Sequence, residues 1–383
     1  MHKRYLELDS LRGLAALFVL FSHCFRVFPT FDTSSISTTN QSYVTSALLH
    51  TPLRLFIGGH ESVLLFFILS GFVLSLPYYR NQTVNYKTYL IKRSCRIYVP
   101  YIISISIAII AFLSFSEKGI PQYSEWFNKI WTYDFSYMSI LNHLSFLGYY
   151  NANHYNTAIW SLVHEMRISI IFPLLMYFIF KFNFKKNFVL MITFSCISFI
   201  LLKLFQPTYN TNIILTIHYI SMFMLGAILA RHIEILIEFY TKMTKTKKII
   251  ISSIALICYT YQGLFPHLSF IHNFIMNEYA VALGSSLIII IALSSKSFSR
   301  FLNLKPILFL GKISYSLYLY HATVLFSFIY IFNDILPIST ILCMTVISSL
   351  LISSVLYYLV EEPSINLGKK LTIKKENHTA LTK

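Results

Sequence analysis

The sequence predicts an all-α fold, a polytopic transmembrane helical bundle of about ten spans with both termini cytoplasmic. Of 383 residues, 56% are hydrophobic and only 12% charged, and the mean hydropathy is +0.62. A soluble domain carries about a quarter charged residues. The apolar residues arrive in runs of roughly 18 to 24, enough to cross a hydrocarbon core of about 30 Å at 1.5 Å per helical residue. Lys and Arg gather in short connectors between those runs, which is the positive-inside pattern.

Taken in order, helices are expected near residues 11–28, 61–79, 97–115, 157–180, 187–205, 212–231, 249–265, 274–294, 307–331 and 338–360. The first run has no small-residue cleavage motif at Cys24-Phe25-Arg26, so it reads as a retained helix and not as a signal peptide. With the amino terminus inside, all but six of the 31 Lys and Arg fall on the cytoplasmic side, the six being Arg26, Arg54, Lys118, Lys129, Arg167 and Lys203. The outer connectors 27–60 and 116–156 are long enough for partly ordered caps and too small for a second soluble domain. Residues 1–365 thus read as one transmembrane domain and 366–383 as a basic cytoplasmic tail.

A net charge of +16 and a pI near 9.5 do not indicate nucleic-acid binding, because the bases lie in connectors and not on one folded face with exposed stacking aromatics. Cys24, Cys196, Cys258 and Cys343 lie within apolar runs and Cys95 in a basic connector, so neither a disulfide framework nor a CxxC site is expected. No metal-ligand set is apparent.

Ionisable groups inside a membrane are costly, and each is a functional candidate. Arg12 and His23 stand eleven residues apart, about 16.5 Å along one helix face. That spacing suits a cation at the inner interface and, near the midplane, a base for an attacking hydroxyl, though a His bonded to a neighbouring helix fits equally well. The small residues of Ser70-Gly71-Phe72, with Ser75, permit close approach of a helix or a ligand, and helix packing is the commoner use. Arg93 and Arg96, at i,i+3, form a forked pair suited to nucleotide phosphates or to lipid headgroups.

Glu165, in Trp160-Ser161-Leu162-Val163-His164-Glu165, is open to orienting a substrate or an imidazole, or to pairing with Arg167 or His23. Tyr315, Tyr318 and His321 share a face of the ninth span, as a packing stripe or as site residues, and Glu361-Glu362-Pro363 closes the last span.

Together these segments resemble the acyltransferase-3 family of integral membrane O-acyltransferases. Arg12 and His23 match its Arg-x10-His signature, Ser70-Gly71-Phe72 its Ser-Gly-Phe element, and Arg93 and Arg96 its Arg-x-x-Arg. Trp160 to Glu165 matches Trp-Ser-Leu-x-x-Glu, and the stretch from Ser314 to His321 and Glu362-Pro363 match its closing motifs. The resemblance implies transfer of an acyl group, commonly acetyl, from cytoplasmic acyl-CoA to a sugar hydroxyl of an envelope polysaccharide or glycolipid in the bacterial cytoplasmic membrane. Acyl-CoA is then a co-substrate, with no cofactor permanently bound, and membrane lipids and a carbohydrate acceptor are the partners.

By the same resemblance Arg93 and Arg96 hold the CoA phosphates, Arg12 guides the thioester, His23 is the base and Glu165 positions acceptor or base. Ser70, Tyr315, Tyr318 and His321 are candidates for an acyl relay or for substrate positioning. Ile168 and Ser169 replace a common Phe-Tyr pair, and Val99 stands between Tyr98 and Pro100, shifting the helix start slightly. Many relatives carry a fused extracytoplasmic hydrolase-like domain that is not seen here, so a separate extracytoplasmic transferase partner is a further expectation. A ten-span exporter, and acylation of a cytoplasmic or lipid-linked acceptor without transmembrane transfer, are the competing readings; neither internal repeats nor paired broken helices support the first.

Overall fold

A computed structural model describes residues 5–32, 42–80, 84–116, 119–132, 136–264, 268 and 272–381, with side chains as far as 372. The helices in chain order are α1 (Leu6–Arg26), α2 (Tyr43–His50), α3 (Gly59–Tyr79), α4 (Tyr86–Phe115), α5 (Glu125–Asn128), α6 (Tyr137–Ser145), α7 (Trp160–Lys181) and α8 (Phe184–Phe205). There follow α9 (Ile213–Thr241), α10 (Lys245–Tyr259), α11 (Phe274–Ser294), α12 (Lys296–Leu302), α13 (Lys305–Phe332), α14 (Ile338–Leu356) and α15 (Glu362–Leu381). Among the described residues there is no strand.

Among the described residues, nine helical segments are long and apolar enough to cross a membrane: α1, α3, α4, α7, α8, α9, α11, α13, and α14 with its continuation. The expected seventh span is the 15-residue α10, whose length of about 22 Å falls short of the hydrocarbon core. A 3-10 turn at Tyr261–Gly263 carries the chain onward to the end of the bundle where α3 begins, and there the Gly263 carbonyl lies 3.1 Å from Nδ1 of His50. Helix and turn together therefore run most of the length of the bundle, although the helix alone does not.

Local sequence explains the other boundaries. Asn85 caps α4 by accepting from the Thr88 amide at 3.2 Å, so that helix begins at Tyr86, well before residue 97. Arg93 and Arg96 consequently sit on a regular helix and not in a connector. The last span ends in a π-turn, Tyr357–Glu361, before α15 continues the chain. The two long connectors form caps as expected, one containing α2 and the other α5 and α6, and Trp131 of the second is buried with its Nε1 donating to the Tyr155 carbonyl at 2.8 Å.

Glycines set two of the closest crossings. A Cβ on Gly71 would lie 2.0 Å from the Phe223 carbonyl oxygen, and one on Gly226 would lie 2.0 Å from that of Ile68, so α3 and α9 touch backbone to backbone. Gly13 and Gly311 do the same for α1 and α13. The packing use of the small residues beside Ser70 is therefore the one realised. These crossings set α3 on α9 and α1 on α13, α1 also packs against α3, and α4 and α7 complete the wall around a polar interior.

Candidate active site

Four helices, α1, α3, α4 and α7, bring the central polar group together. Arg93 on α4 donates from Nη2 to Glu165 Oε1 at 3.1 Å and to Ser169 Oγ at 2.9 Å, both on α7. Ser70 on α3 donates its hydroxyl to the same carboxylate oxygen at 3.2 Å, and Arg12 Nη2 stands 3.5 Å from Ser70 Oγ, at the limit of a hydrogen bond. Glu165 is thus held by Arg93 and Ser70. Arg167 points elsewhere, donating to the carbonyls of Leu147, Gly148 and Thr211.

These residues line a narrow cavity whose wall includes Arg12, Ser70, Arg93, Arg96, Glu165 and Tyr315. A larger vestibule of about 1590 Å³ adjoins it and shares Arg12, Arg96, Ser314 and Tyr315. Arg80, Lys312 and Lys369 add positive charge to the vestibule, and Asp9, Glu361 and Glu362 add negative charge. It lies at the end of the bundle that carries the basic connectors. Arg96 belongs to both spaces, whereas Arg93 lines only the inner one.

Three hydroxyls stand as candidate acyl relays, and their hydrogen bonds differ. Tyr315 donates to the Ile97 carbonyl at 2.8 Å, and Tyr318 lies 2.9 Å from the Ala158 carbonyl and 2.7 Å from Ser161 Oγ. Both phenols have backbone acceptors for their protons. Ser70 instead faces a carboxylate and a guanidinium, an arrangement able to accept its proton and to stabilise charge on its oxygen.

His23 lies apart from this cavity, in the last turn of α1. The helix begins at Leu6, earlier than residue 11, which moves His23 from the expected midplane toward the end opposite the vestibule. There its Nδ1 is 2.8 Å from Nε2 of His321, and Nδ1 of His321 is 2.9 Å from the Leu317 carbonyl. A carbonyl only accepts, so His321 carries its proton on Nδ1 and offers a lone pair at Nε2. In the neutral pair His23 therefore donates from Nδ1, leaving a lone pair on its own Nε2. The two rings stack at 5.0 Å between centroids, with Trp126 of the cap 5.1 Å from His23 on another side.

Tyr318 joins the two groups. It lines the inner cavity, and its ring centroid lies 6.0 Å from that of His321. Arginine–carboxylate chemistry on the basic side and an oriented imidazole beyond it make a path from a charged vestibule to a base, interrupted by one layer of side chains.

A family profile described as an acyltransferase domain matches residues 5–358. The chain belongs to the acyltransferase-3 family. With nine helices among the described residues long and apolar enough to cross a membrane, it is an integral, multi-pass membrane member of that family.

Acyltransferase-3 relatives include O-acetyltransferase OatA of Staphylococcus aureus, 27% identical over 292 residues, which cover 72% of this chain and 47% of the relative. Nodulation protein 10 of Rhizobium leguminosarum bv. viciae is 26% identical over 178 residues, covering 44% of this chain and 43% of the relative. The match therefore spans less than half the length of these curated relatives. No solved structure gives a significant match.

Several buried polar groups lie outside the family motifs. Glu361 in the π-turn accepts from the amide and the hydroxyl of Ser316, at 3.2 and 2.6 Å. Glu278 on α11 holds His60 Nε2 at 2.5 Å and His218 Nε2 at 3.4 Å. Glu61 pairs with Arg54 Nε at 2.7 Å. The same rule that singled out Glu165, a carboxylate in an apolar helix, also points to Glu278.

Proposed function

We propose that this chain is a membrane O-acyltransferase of the bacterial cytoplasmic membrane, transferring an acetyl or other short acyl group from cytoplasmic acyl-CoA to a sugar hydroxyl of an envelope polysaccharide or glycolipid. The observation that carries the proposal is the basic vestibule opening through Arg12 and Arg96 into the Glu165 cavity, with an oriented imidazole on the far side of Tyr318. Both termini then lie in the cytoplasm, in agreement with the distribution of Lys and Arg.

In this reading Arg96, with Arg80, Lys312 and Lys369, receives the CoA phosphates in the vestibule. Forked guanidinium contacts suit phosphate oxygens, and the lysines add point charges. Arg12 lies at the junction, where it can guide the thioester inward. Arg93 stays on Glu165 and Ser169 and holds that carboxylate in place.

His23 Nε2 takes the proton of the acceptor hydroxyl as its oxygen bonds to the acyl carbonyl carbon. The tetrahedral adduct then collapses, the C–S bond breaks, and CoA leaves as a thiolate that is protonated by the imidazolium. A base so placed contributes about 10² to 10⁴ in rate. If the acyl group pauses on the protein, Ser70 is the hydroxyl best placed to carry it, because Glu165 can accept its proton.

The test is transfer of label from acyl-labelled acetyl-CoA in inside-out vesicles bearing the wild type or His23→Ala. Label in a carbohydrate fraction that requires His23 supports the proposal. Equal label from both proteins, well inserted and tried with several acyl-CoAs, would overturn it and favour an exporter.

The vestibule and the inner cavity separate the two arginines experimentally. Arg96→Ala should raise KM for acyl-CoA about tenfold with kcat within about twofold, as loss of uniform binding does. Arg93→Ala should instead lower kcat by about tenfold or more, because it frees the Glu165 carboxylate. Steady-state kinetics on the two variants would show the split, and identical profiles would refute it.

A further inference from the structure

A third cavity opens beside the last turn of α1, at the end remote from the vestibule. Its wall is made by Ser22 and Arg26 of α1, Arg54 of the segment before α3, His60 and Glu61 of α3, and Gln262 of the turn after α10. His23 sits in the chain between the first two of these. None of the wall residues belongs to the motifs of the inner cavity.

The chemistry of the wall is specific. Glu61 is 1% exposed; its Oε1 accepts from Arg54 Nε at 2.7 Å, while its buried Oε2 has no partner among the described residues. Arg26 lies with its guanidinium carbon 4.6 Å from the centroid of the Trp126 ring, and its buried Nε–H likewise has no partner among the described residues. The wall thus includes two residues, Glu61 and Arg26, that each keep a buried polar atom without a partner among the described residues. His60 is fixed to Glu278 and lies over Trp160 with ring centroids 6.3 Å apart, so this part of the wall is braced.

A buried carboxylate oxygen and a guanidinium N–H left unpaired are complementary to a ligand that donates and accepts through adjacent atoms. A hydroxyl does both, and a carbohydrate carries several at short spacing. The aromatic rings of Phe25 and Phe31 on the same wall supply apolar faces. A purely anionic ligand would meet Glu61 unfavourably, and a purely cationic one would meet Arg26 and Arg54.

We infer that this cavity is a carbohydrate-binding subsite, in which Glu61, Arg26 and Gln262 hold the sugar so that a hydroxyl is presented to His23. This rests on the acyl-transfer reading for the role of the sugar, but not for its binding. The donor enters from the basic end and the acceptor from the opposite end, with the imidazole pair between them.

The test uses the full chain, purified in lipid nanodiscs, fluorescently labelled and applied without acyl-CoA to a printed array of carbohydrates. Wild type should bind a subset of sugar spots above bare linker. Glu61→Gln should reduce that binding by at least about tenfold, the scale of a lost charge-assisted hydrogen bond. Gln262→Ala, which leaves the buried ion pair intact, should weaken it several-fold even if Glu61→Gln fails to remain monodisperse.

Binding no stronger than bare linker on every sugar would overturn the inference, as would equal binding by wild type and both variants. The vesicle assay distinguishes this from failure of acyl transfer. Sugar binding without transfer leaves the subsite standing and removes the enzymatic role. Transfer whose acceptor KM is the same in wild type, Glu61→Gln and Gln262→Ala removes the subsite alone.

Discussion

His23→Ala is expected to lower acyl transfer by about 10³-fold while insertion and acyl-CoA affinity stay at the wild-type level. The magnitude follows from removing a general base whose contribution is about 10² to 10⁴. The geometry adds a second expectation. His321 is a positioning residue: it accepts from His23 Nδ1 at 2.8 Å and so fixes which nitrogen carries the lone pair. His321→Ala should lower kcat by about 10²-fold, and His321→Gln should recover part of that loss, because the amide oxygen can accept the same proton. Kinetics of the three variants, each checked for monodispersity, would measure this. A His321→Gln variant no better than His321→Ala would point to packing, and full activity of His23→Ala would remove the base from the mechanism.

Gly71→Leu is expected to abolish accumulation of monodisperse protein. Its Cβ alone would stand 2.0 Å from the Phe223 carbonyl oxygen, and neither α3 nor α9 can yield without opening the crossing that Gly226 makes from the other side. Overpacking an ordinary core costs about 1–3 kcal/mol through side-chain adjustment. Here the obstruction is backbone, so even Gly71→Ala should lower the thermal transition measurably. Gel filtration in detergent and a thermal unfolding curve would report both, with Ser70→Ala as the neighbouring control. A Gly71→Leu protein with wild-type elution and melting would show that the crossing is looser than described.

Much of the bundle is readable in the sequence because membrane burial imposes length and composition together. The spans of α3, α7, α11 and α13 lie within a few residues of their expected limits. α4 is less legible because the connector before it is basic and polar, yet capping by Asn85 makes its second half helical. α10 is shorter than the expected 249–265 because Thr260-Tyr261-Gln262-Gly263 interrupts the apolar run, and there the helix stops and a 3-10 turn takes over.

At the site, motif residues could be listed but their partners could not. Glu165 meets Arg93 across 72 positions, and His23 meets His321 across 298, distances over which local periodicity carries no information. The stripe of Tyr315, Tyr318 and His321 was legible as a face. Its division of labour was not, because that depends on which carbonyl each hydroxyl or ring reaches. Glu61, Glu278 and Glu361 carried the general signal of a carboxylate near or within an apolar run, but nothing local indicates which cavity or partner each one serves.

The layer at Tyr318 has an electrical consequence. The vestibule and the cavity beside the last turn of α1 open toward opposite ends of the bundle, and continuous water between them would conduct ions through the protein. A potential of 100 mV drives each elementary charge with about 2.3 kcal/mol, so even a narrow aqueous thread would discharge the membrane steadily. The Tyr318 hydroxyl, bonded at 2.7 Å to Ser161 and at 2.9 Å to the Ala158 carbonyl, with Phe66 packed against its ring, stands between the inner cavity and His321, where it would interrupt such a thread. An acyl carbonyl is neutral and needs no hydration shell, so it can be handed across a dry layer that a hydrated ion cannot enter. Under the proposed reaction, the side chains between the two openings would also keep the membrane an insulator during transfer.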